Sequence, residues 1–69
     1  MRKLVIIPTY NEIDNISPMI DKVFSLEEQF DLLVIDDGSP DGTATVVKQR
    51  KAEFPNRLFL IERVGKLGL

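Results

Sequence analysis

The segment DDGSPDGT, residues 36–43, contains the side chains best suited to chemistry, and it directly follows an apolar run at residues 32–35. A short apolar run bounded by turn residues predicts a buried strand, and ligands in open α/β sheets bind outside the carboxyl ends of the strands. Because the adjacent carboxylates of Asp36 and Asp37 repel each other, they need a cation or hydrogen-bond donors nearby. Ligand or metal binding and a turn closed by side-chain hydrogen bonds both fit this pair. Since neighbouring strand residues point to opposite faces, we expect one of the two to address a ligand.

The other polar residues of this segment are predicted to organise a helix start. Ser39, Asp41 and Thr43 each offer a side-chain oxygen to unpaired backbone donors, which favours capping of the second helix over substrate contact. Gly38 and Gly42 are expected to serve backbone conformation. The sequence has no G-x-G-x-x-G pattern and no P-loop lysine here, so the usual dinucleotide and triphosphate signatures are absent.

A second polar loop, PTYNE at residues 8–12, follows the first predicted strand and would lie beside the loop that carries Asp37. Tyr10 is either a core aromatic or a stacking platform for a base. Glu12 is either a carboxylate at a helix start, where the helix dipole favours it, or an acceptor for ribose or base donors. Arg63 and Lys66 follow the third strand, as part of a solvated loop or as phosphate contacts.

The elements that position these loops alternate between strand and helix. The predicted strands cover residues 3–8, 31–35 and 58–61. The first predicted helix has Ser17 as its N-cap and Pro18 as its first residue, or starts a few residues earlier. The second predicted helix runs from Thr43 to about residue 53. This β-α-β-α-β order predicts an α/β fold with three parallel strands. Each crossover helix is expected to cover one face, which would account for apolar strands without alternation. The open sheet edge favours self-association.

Composition narrows the chemistry further. The 69-residue chain has no cysteine and no histidine, which excludes disulfides, thiolate or histidine metal sites and histidine-dependent nucleophiles. A net charge of −2 gives no reason to expect nucleic acid as a partner. The apolar run at residues 4–7 is too short for a signal-peptide core or a membrane span, so we expect a soluble, cytoplasmic chain.

Three segments in this order resemble the start of a family 2 glycosyltransferase, most closely the dolichol-phosphate (polyprenyl-phosphate) mannosyltransferase branch: PTYNE at residues 8–12, DDGSPDGT at 36–43 and RVGKLGL at 63–69. The resemblance implies a nucleotide-diphospho-sugar transferase fold (GT-A, Rossmann-like). Residues 1–69 would form the N-terminal nucleotide-binding portion of a single truncated domain. The implied reaction transfers a sugar, mannose from GDP-mannose, to a polyprenyl or dolichyl phosphate at the cytoplasmic membrane surface.

The resemblance also implies which residues bind the donor. In that family the positions that line the nucleotide pocket match Pro8, Tyr10, Glu12, Ile35 and Asp37. Asp36, Arg63 and Lys66 are weaker candidates. A divalent cation, Mg²⁺ or Mn²⁺, would neutralise the departing diphosphate, and an Asp-x-Asp motif on a later strand, beyond residue 69, would hold it. We therefore expect the 69-residue chain to lack catalytic residues and activity, while a half-pocket binds nucleotide weakly.

Three other interpretations compete with this one. A response-regulator receiver module also carries paired aspartates at a strand end, but there the pair follows the first strand. A nucleotidyltransferase of similar architecture starts with a glycine-rich basic loop, which residues 8–12 lack. A non-catalytic fragment that associates through its open sheet edge is compatible with a glycosyltransferase origin.

Overall fold

The computed structural model describes residues 3–63 and shows strands and helices in strict alternation. The elements are β1 (Lys3–Thr9), α1 (Ile13–Phe24), β2 (Phe30–Asp36), α2 (Thr43–Lys51) and β3 (Leu58–Glu62). The strands form one sheet in the order β1-β2-β3, and both pairings are parallel. The predicted β-α-β-α-β unit is confirmed.

The strand register brings the carboxyl ends of all three strands to one edge of the molecule. Thr9 at the end of β1 pairs with Asp36 at the end of β2, and Asp36 pairs with Glu62 at the end of β3. One step earlier, Ile35 lies between Pro8 and Ile61. The loops that follow β1 and β2 therefore start side by side.

The hydrophobic core lies between one face of the sheet and both helices. Its fully buried members come from α1, α2, β2 and β3: Ile16, Ile20, Leu32, Val34, Val47 and Leu58. Two of them, Leu32 and Val34, come from β2, so the central strand lies at the centre of the core face of the sheet. The inner face predicted for α2 is confirmed, since Ala44 and Val47 are buried and Phe54 packs against the same cluster.

The opposite face of the sheet is apolar and exposed, so the expectation that each helix covers its own face is wrong. Leu4 and Ile6 of β1 are 55% and 54% exposed, and Phe59 and Ile61 of β3 are 42% and 48% exposed. Right-handed crossovers that step in one direction across a sheet place their helices on the same side. Within residues 3–63, the apolar strand sequence therefore does not reflect burial on both faces.

Helix α1 begins at Ile13, five residues before Pro18, which lies inside the helix. The cap predicted at Ser17 is therefore wrong, whereas the alternative start a few residues earlier and the core positions predicted at Ile16 and Ile20 are confirmed. Ser17 accepts a hydrogen bond from Arg50 of α2 instead of capping α1. Helices α1 and α2 have 12 and 9 residues, and no helix within the described part of the chain is long and apolar enough to cross a membrane.

Candidate functional site

A buried carboxylate joins the ends of β1 and β2. Asp36 is 2% exposed, and its Oδ1 accepts hydrogen bonds from Thr9 Oγ1 at 2.8 Å and from Ser39 Oγ at 2.6 Å. Its Oδ2 accepts from the backbone N–H of Ser39 at 2.9 Å. The side chain of Asp36 is thus engaged by protein donors and closes the turn that leads from β2 towards α2.

These donors set the protonation state of Asp36. Burial alone raises the pKa of a carboxyl group, because it penalises the charged form. At Asp36 the hydrogen bonds from the hydroxyl and backbone N–H of Ser39 and from Thr9 outweigh burial and hold the pKa below its ordinary value. Asp36 is therefore an ionised acceptor at neutral pH.

The loop after β2 also binds the loop after β1 through three successive backbone N–H groups. The N–H of Asn11 donates to Ser39 Oγ at 2.8 Å, that of Glu12 donates to Thr43 Oγ1 at 3.0 Å, and that of Ile13 donates to Asp41 Oδ2 at 3.1 Å. The acceptors lie 28, 31 and 28 residues further along the chain. We call these three hydrogen bonds the loop clamp.

The loop clamp corrects the predicted role of its acceptors. Ser39 and Thr43 do not cap α2, whose N-cap is Gly42 without a side-chain cap hydrogen bond. Asp41 does hold the first N–H of α2, since its Oδ1 accepts from the backbone of Thr43 at 3.0 Å. All three side chains satisfy donors at or beside the start of α1, whose N-cap residue is Glu12.

Asp41 carries negative charge at this junction. The hydroxyl of Thr43 donates to Asp41 and, together with the backbone N–H groups of Ile13 and Thr43, holds the pKa of Asp41 below its usual value. Many nucleotide-binding folds place a phosphate at the start of the helix that follows the first strand. Here an internal carboxylate binds the N–H of Ile13. The phosphate position of a dinucleotide-binding fold is therefore taken by the protein itself.

Asp37 is the more exposed carboxylate of the pair, with 34% of its side chain accessible. Its backbone N–H donates to the carbonyl of Thr9 at 3.0 Å, which continues the parallel pairing beyond the strand ends. Its Oδ1 lies 2.8 Å from Nε of Arg63, an ion pair without the angular geometry of a hydrogen bond. Asp36 and Asp37 thus address different partners, as expected for neighbouring strand residues.

The five residues assigned to the nucleotide by resemblance lie on the two joined loops and the strand ends beside them. Pro8 and Ile35 are register partners. Tyr10 is 51% exposed at the surface. Glu12 is half-buried, and its Oε1 accepts from Asn15 Nδ2 at 3.1 Å. The structure therefore brings the loops together, and the nucleotide role of these residues stays a prediction.

The weaker candidates have separate outcomes. Asp36 is bound by Thr9 and Ser39, and Arg63 pairs with Asp37. Lys66 lies outside the described residues. Within residues 3–63, no group of three or more acidic side chains has the arrangement of a metal site. The residues present therefore do not fit a divalent cation, since Asp36 and Asp37 already have other partners.

Comparison with known proteins decides the family. A family model described as "Glycosyl transferase family 2" matches residues 4–69. The chain belongs to glycosyl transferase family 2. The resemblance inferred from PTYNE and DDGSPDGT is confirmed, and the match favours this family over the receiver-module and nucleotidyltransferase interpretations.

Family 2 relatives of this chain include named mannosyltransferases. The chain is 43% identical over 68 residues to the polyprenol monophosphomannose synthase of Mycolicibacterium smegmatis. The aligned region covers 99% of this chain and 26% of that relative. The chain is also 42% identical over 69 residues to the undecaprenyl-phosphate mannosyltransferase of Micrococcus luteus. That aligned region covers 100% of this chain and 28% of the relative. The chain thus spans about a quarter of the length of these family members.

A solved family structure shares the fold. The mannosyltransferase PcManGT from Pyrobaculum calidifontis, solved in complex with GDP-Man and Mn²⁺, has a TM-score of 0.82 and 28% sequence identity to this chain. The similarity covers 99% of this chain and 21% of that one. The parallel strands and paired helices described above therefore match part of a mannosyltransferase fold.

Proposed function

We propose that residues 1–69 form the N-terminal nucleotide-binding portion of a single glycosyltransferase domain. That domain transfers mannose from GDP-mannose to a polyprenyl or dolichyl phosphate. Pro8, Tyr10, Glu12, Ile35 and Asp37 line the nucleotide side of its donor site.

One observation supports this assignment above the others. Register pairing of Thr9 with Asp36 and the loop clamp hold the two polar loops at the carboxyl edge of the sheet, where open α/β sheets bind ligands. Tyr10, which is 51% exposed, then offers an aromatic side chain for a base, and Asp37, which is 34% exposed and pairs with Arg63, offers a carboxylate on the other loop. Guanine has N–H groups that can donate hydrogen bonds to a carboxylate such as that of Asp37.

The names of the relatives support the choice of donor and acceptor. Two of them are named for mannose transfer to a polyprenol or undecaprenyl phosphate, and a similar solved mannosyltransferase contains GDP-Man. A polyprenyl phosphate is already anionic, so its attacking oxygen needs little help from a general base. No described side chain is assigned a catalytic role.

Three further features belong to this proposal. The whole protein uses a divalent cation, Mg²⁺ or Mn²⁺, held by residues beyond position 69, consistent with the Mn²⁺ in the PcManGT complex. It works at the cytoplasmic surface of the membrane, where a polyprenyl phosphate presents its head group. The isolated 69-residue chain self-associates through its open sheet edge, and the edge strands β1 and β3 carry the exposed apolar residues Ile6 and Ile61.

Titration of the 69-residue chain with GDP, followed by NMR, tests the donor assignment. We expect saturable binding with a Kd on the order of 1 mM, since only part of the pocket is present. Tyr10→Ala should weaken binding about tenfold, because base stacking on an aromatic ring contributes roughly 1–3 kcal/mol. Asp37→Asn should weaken it about fivefold, the equivalent of about 1 kcal/mol.

Matched variants away from the two joined loops serve as controls. Phe59→Ala removes an exposed aromatic ring from β3, and Glu28→Gln removes a carboxylate that pairs with Lys3 at 2.8 Å. Both should leave the affinity for GDP unchanged. Equal losses in the Phe59 and Tyr10 variants, or no GDP binding by the unmodified chain, would overturn the donor assignment. Mannose transfer by the 69-residue chain alone would contradict its expected lack of activity.

A further inference from the structure

We infer that Ser39, Asp41 and Thr43 are positioning residues for the nucleotide site. They act through the backbone of residues 11–13 and fix the loop of Tyr10 and Glu12 against the loop of Asp37. Because Tyr10, Glu12 and Asp37 are assigned to the nucleotide only by the function proposed above, the positioning role depends on that function. The family resemblance assigned no such role to the three clamp side chains.

The clamp acts on a segment that has few other means of holding its conformation. Asn11 has a φ of +55°, in the left-handed region that non-glycine residues rarely adopt. The N–H groups of Glu12 and Ile13 belong to the donors at a helix start that have no partner within the helix, and the N–H of Asn11 lies one residue before them. All three are satisfied from the other loop. The path of the chain between Tyr10 and α1 therefore depends on residues 39–43.

The acceptors of the clamp are themselves fixed. Ser39 Oγ donates to the buried carboxylate of Asp36, so its lone pairs face Asn11. Thr43 is fully buried, and its hydroxyl donates to Asp41, which leaves a lone pair for the N–H of Glu12. Each hydroxyl thus donates a hydrogen bond to an aspartate of its own segment and accepts a hydrogen bond from a backbone N–H of the other loop. This order requires both aspartates to be ionised, as their lowered pKa values indicate.

The clamp also prevents the start of α1 from binding a phosphate through its backbone N–H groups. With Asp41 on the N–H of Ile13 and Thr43 on the N–H of Glu12, the donors that bind phosphate in other folds are occupied. The polar side chains of residues 39–43 therefore hold the backbone of residues 11–13 in place. Their effect on the nucleotide passes through Tyr10 and Glu12.

Thr43→Val tests this inference, because valine keeps the shape of threonine and removes the acceptor for Glu12. We expect GDP affinity to fall about fivefold, while the amide signal of Glu12 moves and its hydrogen exchange accelerates. Thr43→Ser retains the hydroxyl and should restore both the affinity and the amide signal. Thr45→Val is the matched control on the exposed side of α2 and should change neither.

A second variant guards against unfolding of the buried site. Ser39→Ala removes the acceptor for Asn11 at a half-buried position and should also weaken GDP binding, with the amide signal of Asn11 shifted. If the unmodified chain binds GDP and both variants bind it equally well despite released amides, the positioning role is wrong and the proposed function stands. If the unmodified chain shows no saturable GDP binding, the proposed function is wrong and the positioning role falls with it.

Discussion

Thr9 and Asp36, the last residues of two neighbouring parallel strands, are joined by a hydrogen bond of 2.8 Å from Thr9 Oγ1 to Asp36 Oδ1. The two residues are also register partners, and both are buried. This side-chain contact extends the pairing of β1 and β2 to the point where their polar loops begin. The geometry of the candidate site therefore starts from a polar contact inside the core.

Asp36→Asn is expected to destabilise the chain by about 1–3 kcal/mol, the range for leaving a buried polar group without its partner. The carboxylate accepts three hydrogen bonds, one of them from the backbone N–H of Ser39, and an amide nitrogen cannot accept any. Urea denaturation measures the change. Glu28→Gln, which removes an exposed ion pair with Lys3, should change the unfolding free energy by less than about 1 kcal/mol. Equal effects of the two variants would contradict the role given to Asp36.

The same carboxylate predicts an acid-sensitive contribution to stability. The pKa of Asp36 is lowered in the folded state, so its contribution is fully present above the unfolded value of about 3.9. It is lost as the pH falls through the folded pKa. The difference in unfolding free energy between the unmodified chain and Asp36→Asn should therefore be constant from pH 6 to 7 and shrink in acid below about pH 4. A difference that grows on acidification would contradict this sign.

Gly42→Ala should destabilise the chain by roughly 1–2 kcal/mol for two separable reasons. Gly42 has a φ of +96°, and a Cβ at this position would lie 3.3 Å from Ile13 Cδ1. Ile13→Val removes that Cδ1 atom and serves as the matched background. In thermal unfolding, the double variant should recover the stability lost through the contact of the new Cβ with Ile13 Cδ1. The stability lost through the positive φ should not be recovered. Full recovery would show that the positive φ costs nothing.

Arg50→Met should loosen the contact between α2 and α1 and destabilise the chain by about 1–2 kcal/mol. The guanidinium donates to Ser17 and Asp21 of α1 and to Glu53, and the hydrogen bond with Asp21 is the main cause of its raised pKa. Arg50→Lys should recover only part of the loss, because an ammonium cannot reproduce the fork geometry. Lys51→Met, at an exposed neighbour, is the control. Complete rescue by lysine would mean that charge alone matters.

Self-association through the open sheet edge is expected to depend on the exposed apolar residues of the edge strands β1 and β3. Ile6→Lys or Ile61→Lys places a charge in the apolar patch of β1 or β3 and should shift the chain towards the monomer in sedimentation experiments. Thr45→Lys adds the same charge to the exposed side of α2 and should leave the association unchanged. If the unmodified chain is monomeric at all concentrations, the open sheet edge does not drive self-association.

The strands and their carboxyl ends were predictable because local signals agree with the fold. Apolar runs that stop at Pro8 and at Asp36 mark the ends of β1 and β2, and the observed strands extend only one residue beyond the predicted ends. Parallel pairing follows from the alternation of strands and helices. The convergence of the two polar loops could therefore be inferred without coordinates.

The loop clamp could not be inferred, because it depends on contacts between residues about 30 positions apart. Ser39 and Thr43 have the local pattern of helix caps, and only the tertiary arrangement directs them to α1 instead of α2. The same distant acceptors allow α1 to begin at Ile13, so Pro18 falls inside the helix. The open face of the sheet could not be predicted for a different reason, since apolar strand sequences do not reveal on which side the helices pack.

Residue-by-residue mapping of GDP binding by NMR is the most direct test of the nucleotide site. Addition of GDP to the 69-residue chain should shift the amide signals of Tyr10, Glu12, Ile35 and Asp37 in a saturable manner. Signals at the amino ends of the strands, such as those of Phe30 and Leu58, should stay in place. Absence of saturable shifts, or shifts concentrated at the amino ends or around Leu4 and Phe59 on the open face, would contradict a nucleotide site at the joined loops.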